Sequence, residues 1–156
     1  AAYPAGALAV PGQVIDYTWG RAHTFCDGQG HPLQHVDFTH PYDEALRVAL
    51  LRAGSAAGVA VVDGGVYGAT QGPRLESAAE VDRMARDGCD LVGMTGMPEA
   101  GLARELGLAY ACLAVVVNRA AGRGDDIHGE LERWVSEGMA SARIVLAALL
   151  AERAVT

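Results

Sequence analysis

The chain has 156 residues and a formal charge of −7, from 12 Lys+Arg against 19 Asp+Glu, with 51% hydrophobic and 20% charged residues. That balance fits one globular domain with a buried core; it excludes a disordered chain and lacks the basic footprint of a nucleic-acid binder. No uninterrupted apolar run reaches the roughly 18 residues of a membrane span, the longest being 144–151, so no membrane partner is expected.

Residues 1–12, AAYPAGALAVPG, are small, apolar and punctuated by Pro and Gly, which is loop chemistry. A short β-rich run follows at 13–18. Residues 19–40 show little periodicity yet hold four of the five histidines, His23, His31, His35 and His40. Irregular segments of that length tend to be functional or to reach a partner. Residues 42–53 read as a helix, with Pro41 at its entrance and Gly54 past its end. Residues 59–62 and 66–70 read as extended segments around an Asp63-Gly64-Gly65 turn. Ser77-Ala78-Ala79-Glu80 is a capping box, predicting a helix over 78–87 that Gly88 stops. A strand at 90–94 and a helix at 98–106, closed by Gly107, come next. Residues 109–117 form an apolar run expected in the middle of a parallel sheet. The last element, 129–152, places Leu131, Trp134, Val135, Met139, Ala142, Val145, Leu146 and Leu149 on one helical face that should lie across the sheet.

Alternating strands and helices predict an α/β sandwich with right-handed crossovers, where ligands collect at the carboxyl ends of the strands. Two such ends stand out, Met94-Thr95-Gly96 and Asn118-Arg119-Ala120. Asn118 ends an apolar run in a neutral donor–acceptor, suited either to a ligand or to a turn. Thr95 offers a hydroxyl beside free backbone N–H groups, an anion site or a simple Thr–Gly turn with Met94 in the core. With an acidic chain, such an anion must be held by local dipoles. Glu76 precedes the N-cap, so it either complements the helix dipole or accepts hydrogen bonds from a polar ring. The histidines match no metal-ligand spacing, and the stretch 125–130, although metal-like, reads as a solvated helix N-terminus with favourable acidic residues, so no metal is expected. Three cysteines, Cys26, Cys89 and Cys112, are odd in number and read as packed thiols in a reducing, cytoplasmic setting. No P-loop, G-x-S-x-G or full G-x-G-x-x-G motif is present.

Five runs in order, VPGQVIDYT (10–18), ATQGPRLE (69–76), GMTGMPEA (93–100), LARELGL (102–108) and VVN (116–118), resemble the purine nucleoside phosphorylase / methylthioadenosine phosphorylase family. The resemblance runs through almost the whole chain. It implies one nucleoside phosphorylase domain over 1–156, with a mixed central β-sheet flanked by helices in a three-layer sandwich. It also implies a homotrimer that cleaves the N-glycosidic bond of a purine nucleoside with phosphate as co-substrate and no cofactor. Met94 would line the ribose, Thr95 would contact phosphate, and Asn118 would bind the purine near N7 and the 6-substituent as the catalytic residue. Glu76 would accept from the base N1–H, and His35 would reach the 5′ side of the nucleoside in a neighbouring subunit.

Family members acting on 6-aminopurines carry Asp at the positions of both Asn118 and Ala120, where this chain has an amide and a methyl. An amide can donate to O6 or N7, and a mismatch of buried donors and acceptors costs about 1–3 kcal/mol per group. A 6-oxopurine nucleoside is therefore expected. The likeness, with the apolar approach to the last helix at Ile127 and Leu131, leans to S-methyl-5′-thioinosine. Members of the family also carry a glycine-rich phosphate loop and an Arg-His-Gly segment upstream of the matching runs. The chain is thus expected to be the C-terminal two-thirds of such an enzyme, lacking half its phosphate site. The alternatives are a methylthioadenosine phosphorylase, a nucleosidase using water, and a non-catalytic nucleoside-binding module.

Overall fold

Two sharp bends in otherwise continuous strands shape the molecule. Strands β1 (Leu8–Val10) and β2 (Gln13–Asp16) are separated only by Pro11-Gly12, and β3 (Val61–Asp63) and β4 (Val66–Ala69) only by Gly64-Gly65. In the computed structural model, which describes residues 3–28, 30, 32–124 and 131–153, β1 pairs parallel with β3 and β2 parallel with β4. The hydrogen bonds continue through the bend: Gly64 N donates to Val10 O and Gly12 N to Gly65 O, both at 3.0 Å. Gly64 and Gly65 take φ of 88° and 92°, a region in which a side chain is strained. The expected turn at 63–65 is therefore a bend and not a reversal.

Strand β5 (Leu91–Gly93) adds parallel to β4, and β6 (Ala114–Val115) adds antiparallel to β1. The result is two three-stranded sheets, β3-β1-β6 and β2-β4-β5, joined through the bends into one curved mixed surface. Helices α1 (Glu44–Ala56), α2 (Ala78–Arg86), α3 (Glu99–Glu105) and α4 (Leu131–Arg153) flank it, so the α/β class is as the sequence predicts. Helix α1 is capped by Asp43, whose carboxylate accepts from Leu46 N at 2.7 Å. Both bonds of the capping box form at the start of α2. One core joins Leu8 and Val10 of β1 to Leu50 and Ala53 of α1 and to Ala142, Val145 and Leu149 of α4. A second gathers Tyr42, Tyr67, Ala69, Met97 and Ala100.

Two expectations are corrected. Residues 109–117 are not a central parallel strand; among the described residues Ala114 and Val115 pair antiparallel with β1 at a sheet edge, and Val116 carries the bonds on to Ala7 and Gly6. The run is apolar on both faces because Ala111, Leu113 and Val115 pack on the first core while Tyr110 and Cys112 pack on the second. Burial on two sides, and not parallel neighbours, produced the pattern. Gly54 lies inside α1, not beyond it. A Cβ there would come 2.6 Å from Val61 Cγ2, so its missing side chain lets β3 approach the helix. The first two residues expected in the last helix lie outside the described residues. By length and composition α4 could cross a membrane; its Ala142, Val145 and Leu149 pack on β1 and α1, while Val135, Met139, Ile144, Leu146 and Leu150 are exposed.

Candidate active site

Strands β4 and β5 end side by side, Thr70 N donating to Gly93 O at 2.8 Å, and each runs on into a loop. The loop after β5 carries Met94, Thr95 and Gly96; the loop after β4 carries Thr70 through Glu76. Opposite them stands the segment that contains β6. Met94, Thr95, Asn118 and Ala120 line one cleft of about 760 Å³ between these edges. That is the size of a small-molecule site.

Thr95 is exposed in the cleft, with its hydroxyl 3.2 Å from the Tyr67 hydroxyl. Tyr67 is buried, and desolvation raises its phenol pKa above the ordinary value, so it stays protonated. A protonated phenol can donate to Thr95 Oγ1, which leaves the threonine's own proton for an anion. Asn118 is half-buried, and its Nδ2 donates to Arg119 O at 3.0 Å, the local bond of a turn-forming Asn. Arg119 and Arg123 bring positive charge to the same cleft despite the acidic chain. Arg123 pairs with Asp82 at 2.8 Å.

Glu76 does not share this cleft. It lines a second hollow of about 560 Å³ with Asp16, Tyr17, Trp19 and Arg74, and its Oε1 accepts from the buried Thr70 hydroxyl at 2.6 Å. The partition between the two hollows is thin. Gly72 has φ of 64°, and a Cβ on it would lie 2.5 Å from Met94 Sδ. Met94 faces one side, Gly72 the other, and Met84 lines both. His35 is exposed on the 19–40 segment and lines neither space. Among the described residues no group of three His, Cys, Asp or Glu side chains could hold a metal. His31 and 125–130, including Ile127, lie outside them.

Sequence reasoning missed Tyr67, Arg119 and Arg123. Tyr67 carries no signal beyond its place in a strand, because its partner Thr95 is 28 residues away.

Comparison with known proteins gives the family of the chain. The family model described as the phosphorylase superfamily matches residues 1–151. The chain is 65% identical over 118 residues to a Xanthomonas campestris pv. campestris protein named probable S-methyl-5′-thioinosine phosphorylase, covering 76% of this chain and 47% of that protein. It is 53% identical over 147 residues to a Pseudomonas syringae pv. tomato protein of the same name, covering 93% and 60%. The chain thus spans about half the length of the curated relatives it matches. In fold it is similar to a methylthioadenosine phosphorylase from Schistosoma mansoni solved with tubercidin, with a TM-score of 0.90 at 24% identity over 97% of this chain and 60% of that one. The strand-end cleft, the order of motifs and the match over nearly all residues agree: the chain belongs to the phosphorylase superfamily.

Proposed function

We propose that the protein cleaves the N-glycosidic bond of a 6-oxopurine nucleoside with phosphate, and that its substrate is S-methyl-5′-thioinosine, giving hypoxanthine and 5-methylthioribose 1-phosphate. The observation that carries the reading is the convergence of Met94, Thr95, Asn118 and Ala120 on one cleft. The names of the relatives support the same substrate.

In this reaction the C–N bond breaks early, charge building up as an oxocarbenium ion on the ribose and as an anion on the purine. Asn118 exchanges its bond to Arg119 O for one to purine N7 and O6. That bond strengthens only as negative charge develops, which is the differential binding that lowers a barrier. Met94 packs on the ribose. The Thr95 hydroxyl, backed by Tyr67, holds phosphate below the sugar, where phosphate is both counter-charge and nucleophile. Glu76 accepts from N1–H, which hypoxanthine has and adenine lacks; this requires the thin Gly72–Met94 partition to shift so that the carboxylate meets the base. His35 completes the 5′ side from a neighbouring subunit of a homotrimer. The reading includes no cofactor, no metal and a cytoplasmic protein.

Full-length protein, S-methyl-5′-thioinosine and phosphate decide the matter by release of hypoxanthine. Turnover without phosphate would make it a nucleosidase, and preference for methylthioadenosine would make it the 6-amino enzyme. Calorimetric binding of hypoxanthine without turnover would leave a binding module.

A further inference from the structure

Arg21 lies in the irregular 19–40 segment, outside both hollows. Its guanidinium is half-buried and meets carbonyl groups from two separate loops. Nη2 donates to Thr70 O, Gln71 O and Met94 O, each at 3.1 Å, Nε donates to Gln71 Oε1 at 3.2 Å, and Nη1 donates to Met97 O. Thr70 and Gln71 begin the loop that leads to Glu76, while Met94 and Met97 bracket Thr95. The arginine's own segment is pinned beside it: Thr24 Oγ1 donates to Glu105 Oε1 at 2.6 Å and Phe25 N to Glu105 Oε2 at 2.7 Å.

We propose that Arg21 is a positioning residue whose guanidinium sets the spacing and orientation of the Glu76 loop relative to the Met94-Thr95 loop. The proposal rests on the phosphorylase reading of those loops. A guanidinium suits the task because its planar fork carries five N–H donors in fixed directions, whereas an ammonium presents three from one point. Met94 C=O and Thr95 N–H belong to one peptide group, so a charged donor on the oxygen polarises the N–H that donates to the Tyr67 hydroxyl at 3.5 Å.

The test compares the full-length protein with Arg21→Met and Arg21→Lys, at temperatures where melting curves show each variant folded. Two quantities are read: amide hydrogen exchange at 71–76 and 94–97, relative to amides of α1, and KM and kcat for phosphate and nucleoside. Arg21→Met is expected to speed exchange in both loops and to raise KM for both substrates on the order of tenfold, the loss of about 1.4 kcal/mol of positioning. Arg21→Lys should recover only part of this. A merely structural arginine would lower the melting temperature and leave KM unchanged in the folded variant; that result overturns the proposal, as does faster exchange in one loop only or in neither. Should the wild-type protein turn over no nucleoside, the functional reading falls, and exchange alone then decides whether Arg21 couples the loops.

Discussion

Asn118→Ala is expected to lower kcat/KM at least about tenfold, with little change in melting temperature, since among the described residues the side chain bonds only to its neighbour's carbonyl. An unaltered value would remove the catalytic assignment. Tyr67→Phe keeps the buried ring and deletes the two hydrogen bonds to Thr95, at its hydroxyl (3.2 Å) and its backbone N–H (3.5 Å), so phosphate KM should rise about 2- to 10-fold while nucleoside KM holds. Steady-state kinetics at varied phosphate separate the two. Cys112 gives a chemical check on the packing: burial is the main cause, with the Glu99 charge second, that pushes its thiol up to about 11. It stays protonated near neutral pH and should react with iodoacetamide far more slowly than a free thiol in peptide-mapping experiments.

At the scale of elements, the start of α2 is the clearest case of local chemistry deciding structure. Ser77 and Glu80 satisfy one another's backbone N–H groups, so Ser77→Ala should cost about 1 kcal/mol in denaturant unfolding. Glu80 is held down to about 2, first by the Arg74 hydrogen bond and then by the Ser77 backbone N–H. A carboxylate lowered in the folded state contributes above its ordinary pKa and loses that contribution as pH falls from about 4.5 towards 2. Melting of Glu80→Gln against wild type should therefore differ at pH 7 and converge in acid. Such elements were legible because cap and partner lie three residues apart. The last strand was not: its apolar run told of two cores, and no residue within it distinguishes helices from strands as the covering layers. The site was half legible on the same terms. Strand ends announce Thr95 and Asn118 through their position after apolar runs. Tyr67 and Arg21 act across 28 and up to 76 residues, where one sequence carries no spacing rule.

For the whole molecule, the curved sheet depends on a core built where β1 meets α1 and α4. Leu8 is 1% exposed within it, and Leu8→Ala should cost about 2–5 kcal/mol and be visible as a large drop in unfolding midpoint. Because β1 runs through the Pro11-Gly12 bend into β2, loosening it should also disturb β4, its parallel neighbour there and the strand that leads into the Glu76 loop. The 19–40 segment adds a second long-range tie, through Arg21 and through the Thr24 and Phe25 contacts to Glu105.

The contact of Gly72 with Met94 has a further bearing on how such a site can change. With one sulfur atom's thickness separating the two spaces, neither can be widened or narrowed without altering the other. Any side chain at 72 would displace the Met94 thioether, so in the proposed phosphorylase reading base preference and sugar fit form a single inherited trait. Variants selected for a new purine should carry compensating changes at 94, and libraries that vary one of these positions alone should yield few active members.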